Sequence, residues 1–332
     1  MRAVRLHRLE GPASLVVEDV PLPEPAPGEA LVRLAAAALN HRDLFITRGL
    51  YPKIALPAVL GSDGAGRVAA VGSDVPGVRV NDEVVIDPML GWGADPSLRS
   101  PDSSILGMPH PGTFAEYVAV PAANLHPKPA GLTMEEAASF PLCGATAYRA
   151  LFTHGALRPG ERVLLPGIGG GVQSFALLFA KRAGAHVAVT SSSAEKLERA
   201  RALGADEAFD YAANPAWEKE ARASGPFDLV VDSSGGETVP KAVSLVRPGG
   251  RVVVYGGTRP ETTMRLFPLF WNEVSLLGST MGSPSDFRAM LAFFDEGVHP
   301  AVDEVFALGD AVAAFEKMDR GEQFGKIVLR VE

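Results

Sequence analysis

The chain shows two different patterns of apolar and polar positions, one after the other. From residue 1 to about residue 123, short runs of Val, Leu and Ala alternate with polar residues and are interrupted by Gly and Pro, as at 25–28. Such short alternating runs between turn residues are typical of β-strands with one buried face. The strands predicted from this pattern lie at 31–34, 66–71 and 83–86. They indicate a small β-barrel or sandwich.

From about residue 134, apolar runs alternate with helical patterns. Helices are predicted, for example, at 194–203 and 239–246. The predicted strands lie at 186–190, 228–232, 251–255 and 274–277. Regular alternation of strands and helices predicts a parallel sheet with helices on both faces. We therefore expect this part to be a doubly wound α/β domain.

The C-terminal part returns to the first pattern. Beyond Gly282 a helix is predicted at 285–296, and a mixed tail ends at 325–330. We expect this segment to fold back onto the N-terminal domain. The predicted domains are therefore 1–123 with 284–332, which is β-rich, and 124–283, which is α/β.

Composition narrows the class of protein. The chain has 332 residues, is 47% hydrophobic and carries a formal net charge of -8, so it lacks the basic surface that nucleic-acid binding needs. Cys143 is the only cysteine, which excludes an internal disulfide and a cysteine-built zinc site. No apolar run approaches the ~20 residues of a membrane helix, and the N-terminus lacks the apolar core of a signal peptide. We expect a soluble cytoplasmic protein that acts on a small molecule and binds neither nucleic acid nor membrane.

A glycine-rich turn joins an apolar strand pattern at 163–165 to a long helical pattern at 175–181. Strand, glycine turn and helix together place backbone N–H groups and a helix N-terminus against the pyrophosphate of a dinucleotide. The residues predicted to bind it are Gly167, Gly169, Gly170, Gly171 and Val172. Their spacing, G-x-G-x-x-V, departs from the full fingerprint, so the prediction depends on the α/β context.

The end of the second α/β strand predicts which dinucleotide is bound. Enzymes that use NAD usually place Asp or Glu there to hold the ribose 2′-hydroxyl. This chain has Ser191, Ser192 and Ser193 there, followed by Lys196. Hydroxyls and a cation suit a 2′-phosphate, which a carboxylate would repel. We predict NADPH as the cofactor, with NADH as the alternative; the serines also suit the start of a helix, with Ser193 as its N-cap.

Motifs along nearly the whole chain resemble those of the medium-chain dehydrogenase/reductase superfamily. Besides the glycine turn, they are GSDGAGRV at 61–68, NDEV at 81–84, GTFAEY at 112–117, TAY at 146–148 and GKIV at 325–328. The resemblance implies a chaperonin-10-like (GroES-like) β-barrel catalytic domain joined to a Rossmann domain. It also implies an active site in the cleft between them and hydride transfer at C4 of a nicotinamide. A homodimer or homotetramer is implied, built on contact at the edge of the Rossmann sheet.

The zinc alcohol dehydrogenases of this superfamily bind a catalytic metal through a Cys, a His and a second Cys. At the matching positions this chain has Asn40, Ser62 and Leu142. Cys143 lies one residue out of step, and one residue on a helix rotates a side chain by ~100°, so Cys143 is expected to point away from the site. Residues 88–108 contain no cysteine, so the structural zinc lobe is also missing. We predict a zinc-free member that resembles the quinone oxidoreductases and enoyl reductases.

Without a metal, hydrogen-bond donors must stabilise the negative charge that develops on the substrate oxygen. The candidates by family position are Asn40 and Tyr51, with Arg42 as a third. Two of them also have a structural alternative. The Asn40 side chain can hydrogen-bond the backbone of its own turn, and Arg42 can form an ion pair with Asp43 or Asp63.

Further cofactor contacts follow from position in the resemblance. Thr146 would lie near the nicotinamide and Tyr211 near the adenosine, while Lys326 would reach the cofactor from the C-terminal segment. The remaining candidates follow two predicted strands and are Ser233, Gly256 and Gly257.

The leading hypothesis is an NADPH-dependent, zinc-independent reductase of quinones or α,β-unsaturated carbonyls. Two alternatives stay open. One is an NAD(P)-dependent alcohol dehydrogenase, with a metal held by Asp63, His41 or Asp43. The other is a protein that binds NADPH without turnover.

Overall fold

The computed structural model describes residues 1–331, which form two compact units. The first comprises Met1–Cys143 and the segment that begins at Ser283, and the second comprises Gly144–Gly282. The strands, in chain order, are β1 (Arg2–Leu6), β2 (Leu15–Asp19), β3 (Glu29–Ala38), β4 (Ala58–Val59), β5 (Asp63–Val71), β6 (Glu83–Ile86), β7 (Met89–Leu90), β8 (Ser104–Ile105), β9 (Tyr117–Pro121), β10 (Leu125–Pro127), β11 (Arg162–Leu165), β12 (His186–Ser191), β13 (Glu207–Asp210), β14 (Phe227–Asp232), β15 (Val246–Val254), β16 (Ser275–Gly278), β17 (Val302–Ala307) and β18 (Lys326–Arg330).

The helices are α1 (His41–Thr47), α2 (Met134–Ser139), α3 (Pro141–Tyr148), α4 (Gly171–Arg182), α5 (Ala194–Ala202), α6 (Trp217–Ala223), α7 (Thr238–Leu245), α8 (Leu266–Trp271), α9 (Pro284–Asp295) and α10 (Ala311–Asp319). A π-helical turn, Arg149–His154, follows α3. No helix of residues 1–331 is both long enough and apolar enough to cross a membrane.

The first unit is built on a seven-stranded sheet. Its strands run in the order β10-β6-β5-β3-β18-β17, and β9 also pairs with β3. The expected return of the C-terminal segment is confirmed, because β18 pairs antiparallel with β3 and aligns Val328 with Ala38. Phe114 and Phe315, from distant parts of the chain, meet edge to face in the core at 5.8 Å between ring centroids.

The boundary between the units differs from the expected one. Residues 124–143 belong to the first unit rather than to the α/β unit. The reason is α2, which packs on β3, β5 and β18 of the large sheet. Its N-cap, Thr133, accepts a hydrogen bond from the Glu136 N–H, and the helix buries Ala137 and Ala138. Strand β10, at Leu125–Pro127, also pairs with β6 of that sheet. The helical pattern that the sequence shows from about residue 134 therefore starts with a helix that covers the first sheet.

The second unit is a six-stranded parallel sheet in the order β13-β12-β11-β14-β15-β16. This is the doubly wound order 3-2-1-4-5-6, in which ligands bind at the carboxyl ends of the strands where the order reverses, here between β11 and β14. The central strands are apolar without alternation, as Val187–Val189 of β12 illustrates, because both faces of the sheet are covered. The predicted strands and helices of this half are confirmed.

Candidate active site

The glycine turn lies at the switch point of the parallel sheet, between β11 and α4. Gly167 and Gly169 have φ values of 72° and 125°, in a region that residues other than glycine rarely adopt. The Ile168 N–H donates to the Thr190 carbonyl at 2.8 Å, which ties the turn to β12. Gly170 is the N-cap of α4, with no side chain to cap the helix, and the first turn carries no acid. The uncapped amides at this helix end therefore suit an anion.

Lys196 lies against this turn. The lysine stem passes close to Gly169, because a Cβ atom built there would come within 2.8 Å of Lys196 Cδ. Lys196 is positioned by α5, whose N-cap Ser193 accepts a hydrogen bond from the Lys196 N–H at 3.3 Å, as expected from the sequence. Ser191 is buried and Ser192 is exposed at the end of β12. A cation thus lies against the glycine turn, and two serines lie at the end of β12.

An acidic residue does occur on the strand next to Ser191. Asp210 ends β13 and pairs with Ser191. Its carboxylate accepts from the N–H groups of Ala212 and Ala213, both at 2.9 Å, so it is engaged by its own turn. Tyr211, which follows it, is 43% exposed and donates its N–H to the Ser191 carbonyl. Both hydrogen bonds engage Oδ1 of the half-buried Asp210, and the Tyr211 ring is exposed on the surface beside β12.

The carboxyl ends of β14 and β15 meet closely. A Cβ atom on Gly256 would lie 3.2 Å from the Ser233 carbonyl oxygen, and Gly257 beside it is exposed. Asp232 holds this loop, because its carboxylate accepts the Gly235 N–H at 2.8 Å; burial raises the pKa of Asp232. Thr146 is buried on α3. Ser233, Gly256 and Gly257 therefore lie at the strand ends where the sequence predicted them.

Gln173 is a structural residue of the site that the sequence did not reveal. Its Nε2 donates to the carbonyls of Pro166 and Val231, at 3.1 and 2.8 Å, and so links the glycine turn to β14. The only signal was an amide inside an apolar helix pattern, where a buried polar group must find partners.

A buried polar cluster of the first unit gathers four segments that are far apart in the sequence. Asn40 precedes α1, Asp63 begins β5, Lys326 begins β18 and Cys143 lies on α3. Lys326 Nζ lies 2.7 Å from Asn40 Oδ1, 3.0 Å from Asp63 Oδ2 and 3.6 Å from Cys143 Sγ. Asn40 Nδ2 donates to Asp63 Oδ2 at 3.0 Å. We call these four residues the lysine cluster.

The placement of Lys326 differs from the expectation that it reaches the cofactor. An ammonium has three N–H donors. Three oxygen acceptors, the Leu39 carbonyl at 2.7 Å together with Asn40 and Asp63, engage them, and the residue is only 2% exposed. Burial by itself lowers the pKa of Lys326, but the neighbouring Cys143 and Asp63 outweigh it and hold that pKa above its usual value. Lys326 is therefore a buried cation within its own unit.

The placement of Cys143 also corrects an expectation. The one-residue offset suggested that its side chain points away, but Sγ lies 3.2 Å from Asn40 Oδ1. The helical rotation argument assumed a fixed helix axis, whereas α3 begins only two residues earlier, at Pro141. The Leu142 N–H meanwhile donates to Asp63 Oδ1 at 2.8 Å, so the backbone at this helix start faces the cluster as well. Burial raises the pKa of the Cys143 thiol to about 11.

Asn40 is predicted to donate to the substrate, and the structure places its side chain inside the lysine cluster. Its side chain joins Lys326, Asp63 and Cys143, while its backbone N–H donates to Asp43 at 2.9 Å. It is 4% exposed. These contacts make Asn40 an organiser of the lysine cluster, and they leave Arg42 and Tyr51 as the donors beside it.

Arg42 and Tyr51 form a second group next to Ser62. Arg42 Nη1 donates to Ser62 Oγ at 2.6 Å and to the Leu106 carbonyl at 3.0 Å. Its Nε lies 3.4 Å from the Tyr51 hydroxyl, and its guanidinium lies 4.8 Å from the Tyr51 ring centroid. Among the described residues, Arg42 Nη2 is a buried donor with no hydrogen-bond acceptor. The expected ion pair with Asp43 is present at 3.7 Å but is buried rather than solvated.

Asp43 lies between the two groups. It is fully buried, and burial raises its pKa from 3.8 to about 6 despite the opposing charge of Arg42. One of its oxygens, Oδ1, accepts no hydrogen bond from the described residues. The cost of burying this carboxylate is offset in part by two cations, Arg42 and Lys326.

Comparison with known proteins places this geometry in a family. Residues 26–130 match the alcohol dehydrogenase GroES-like domain, and residues 171–296 match the zinc-binding dehydrogenase domain. A zinc-type alcohol dehydrogenase-like protein of Schizosaccharomyces pombe is 36% identical over 100% of this chain and 99% of its own. The chain belongs to the zinc-type alcohol dehydrogenase-like superfamily of medium-chain dehydrogenases/reductases. It therefore has a GroES-like domain and a Rossmann domain.

Two solved structures agree over the whole chain. A crystal structure of an NAD-dependent alcohol dehydrogenase has a TM-score of 0.94 and 41% identity, and each chain covers 100% of the other. A 2-octenoyl-CoA carboxylase reductase, solved with NADP and 2-octenoyl-CoA, has a TM-score of 0.90 and 28% identity over 99% of this chain and 87% of its own. This member of the superfamily is accordingly an oxidoreductase that uses a nicotinamide cofactor.

The residues present do not fit the zinc that the family name implies. Zinc needs three or four nitrogen, sulfur or oxygen ligands in tetrahedral geometry. Within residues 1–331 no group of three or more His, Cys, Asp or Glu is arranged to hold a metal ion. The one thiol and one carboxylate of the lysine cluster already face an ammonium. A metal ion among them would meet a positive charge.

Proposed function

We propose that this protein is an NADPH-dependent, zinc-independent reductase that transfers hydride to a quinone or an α,β-unsaturated carbonyl. The observation that carries the proposal is the Arg42–Tyr51–Ser62 group beside the lysine cluster, where Arg42 Nη2 is a buried donor that has no acceptor among the described residues. The bound nicotinamide would supply the hydride. The chain's own residues need only bind the reactants, orient them and stabilise the oxygen on which charge develops.

Tyr51 is the donor that the contacts favour. Arg42 Nε approaches the phenol oxygen, and Tyr51 is half-buried rather than enclosed. Because its oxygen accepts from a guanidinium, the Tyr51 O–H proton is left to donate outward. A donor of this kind in an oxyanion site is worth on the order of 3 kcal/mol. Reduction of an enone or quinone spreads the developing charge over a conjugated system, so hydrogen-bond donors have less charge to stabilise on the oxygen than in the reduction of an isolated carbonyl.

The choice of NADPH rests on the surroundings of the glycine turn. Lys196, Ser191 and Ser192 offer a cation and hydroxyls, and one oxygen of the Asp210 carboxylate accepts hydrogen bonds from its own turn. The relative that was solved with NADP and 2-octenoyl-CoA supports both the cofactor and the class of substrate. The relative described as an NAD-dependent alcohol dehydrogenase favours the alternative, oxidation of alcohols with NAD.

A metal-free activity assay separates these candidates. Protein treated with a strong chelator and checked by elemental analysis is expected to oxidise NADPH with quinones or enones at an unchanged rate. Tyr51→Phe should lower kcat by about 100-fold, which corresponds to ~3 kcal/mol, with little change in the Kd for NADPH. Zinc-dependent oxidation of alcohols would instead establish the alcohol dehydrogenase. Failure to oxidise NADPH with any of the quinones or enones tested would favour the remaining alternative, a protein that binds NADPH without turnover.

We also propose a homodimer that forms at the edge of the Rossmann sheet. Strand β16 is the last strand of that sheet, and Leu276 on it is 41% exposed. Helix α8, next to it in the sequence, exposes Phe267, Phe270 and Trp271. An unpaired edge flanked by exposed aromatic residues is an interaction surface.

A further inference from the structure

We propose that the ammonium of Lys326 takes the place of the catalytic metal in this chain and closes the site to metal ions. The inference extends the proposed function and rests on it for the statement that the reaction needs no zinc. It goes further by naming the residue that makes the site metal-free. Lys326 is on this view a positioning residue, which acts through Asn40 and Asp63.

The first observation is that one small cation is already coordinated. Nζ of Lys326 has oxygen acceptors at 2.7, 2.7 and 3.0 Å, from Leu39, Asn40 and Asp63, and a thiol at 3.6 Å. An ammonium with three donors and three oxygen acceptors is saturated. Two of these contacts come from the places where the family's ligands occur, since Asn40 stands at the first ligand position and Cys143 is next to the third.

The second observation concerns charge. Within the cluster the acidic partner of Lys326 is Asp63, and the pair is almost fully enclosed, at 2% and 0% exposure of the two side chains. A divalent ion held by Asp63 and Cys143 would lie within a few ångströms of the ammonium. Two cations at that separation in a poorly solvated site repel strongly. Metal binding therefore requires that Lys326 leave or lose its charge, and the oxygen contacts oppose both.

The third observation concerns what the cation holds together. The start of β18, the residue before α1, the start of β5 and the start of α3 meet at this one point. Asp63 binds Lys326 and Asn40 through Oδ2 and the Leu142 N–H through Oδ1. A cation that joins ligands from four distant segments performs the ordering role of a bound metal. Here the sequence itself supplies that cation.

The experiment compares cobalt(II) binding by the full-length protein with that by Lys326→Gln, which removes the charge but keeps N–H donors for Asp63 and Leu39. Cobalt is added as the metal alone, and thiolate-to-cobalt absorption and the thermal midpoint are recorded. We expect no stoichiometric binding by the wild type or by Lys326→Arg, which keeps the cation. We expect at least 100-fold tighter cobalt binding by Lys326→Gln, together with a thiolate absorption band and a rise in its thermal midpoint on adding cobalt.

A second variant locates the metal and guards against misfolding. Lys326→Gln combined with Asp63→Asn removes both members of the buried pair, so it avoids leaving an uncompensated carboxylate. It should fold, and it should lose the cobalt affinity that Lys326→Gln gains, because the ligand carboxylate is gone. If Lys326→Gln is insoluble alone, refolding it with and without cobalt supplies the same comparison, and rescue by cobalt is the expected result.

Stoichiometric cobalt binding by the wild type, lost on Cys143→Ser, would overturn the inference. Cobalt affinity in Lys326→Gln no greater than in the wild type would also overturn it. Failure of the proposed function has a different signature, the absence of NADPH oxidation by metal-free wild-type protein. That result leaves the cobalt comparison unaffected, so the two failures are distinguishable.

Discussion

Replacement of Lys196 by methionine tests whether the surroundings of the glycine turn select NADPH. Methionine keeps an unbranched stem that can pack against Gly169 and removes the charged ammonium with its N–H donors. The turn, the α4 N-terminus and the Ser193 cap of α5 should remain as they are. The substitution therefore isolates the interaction of one cation with the extra phosphate of NADPH.

The magnitude follows from the type of contact. A hydrogen bond to a charged group contributes about 1.5 to 3 kcal/mol, and each 1.4 kcal/mol is a factor of ten in Kd. Lys196 is half-buried, so solvent screening reduces the attraction without removing it. We expect Lys196→Met to weaken NADPH binding by roughly 10- to 100-fold. NADH, which lacks the phosphate, should bind about as it does to the wild type.

Fluorescence titration of the reduced nicotinamide measures both Kd values directly. Lys219→Met, an exposed lysine on α6, is the matched control and should change neither value. Raising the salt concentration should weaken NADPH binding by the wild type more than by Lys196→Met, because screening acts on the charge that the variant lacks. Unchanged NADPH affinity in Lys196→Met, or tighter binding of NADH than NADPH by the wild type, would refute the reasoning.

Two further predictions concern stability and assembly. Burial raises the pKa of Asp87 from 3.8 to about 7, so the wild type loses stability as the pH rises from 4 to 7. Asp87→Asn should therefore gain up to about 4 kcal/mol of unfolding free energy at pH 8, about 1.5 kcal/mol at pH 5 and little at pH 4. The exposed control Asp102→Asn should gain nothing, and an equal gain at pH 8 and pH 4 in urea titrations would contradict this. Leu276→Arg at the β16 edge should convert a dimer to a monomer in sedimentation, whereas Leu98→Arg, exposed on the other unit, should not. Persistence of the dimer in Leu276→Arg would place the contact elsewhere.

The Rossmann half was readable from the sequence because its signals are local. Apolar runs without alternation, such as 187–189, indicate strands covered on both faces. Gly167 and Gly169 have positive φ values that favour glycine, so the glycines in the sequence were enough to predict the turn. Ser193 was recognised as a cap by the same kind of local rule. Each of these inferences needs only a few neighbouring residues.

The lysine cluster could not be read in the same way, because its members are separated by up to 286 residues. A lysine near the end of a chain looks like a surface residue, and nothing close to Lys326 in the sequence indicates that Asp63 will compensate its charge. The position of Cys143 depended on the direction in which α3 starts, which a rule for helix interiors does not give. Contacts between distant segments arise from the register of β18 on β3, and that register appears only in the folded sheet.

The substitutions at this site make physical sense only as a set. Asn40 in place of a thiolate removes a negative charge, and Ser62 in place of an imidazole removes a metal ligand while giving Arg42 an acceptor. With fewer anionic ligands, a divalent ion would leave the site with excess positive charge, whereas one ammonium balances the single carboxylate of Asp63. Restoring only one ligand, as in Asn40→Cys, should therefore fail to recover a metal site while Lys326 remains. Lys326 is therefore the barrier to a metal ion, and the changed ligands set how tightly an ion binds once that barrier is removed. Asn40→Cys should accordingly tighten cobalt binding only when it is combined with Lys326→Gln.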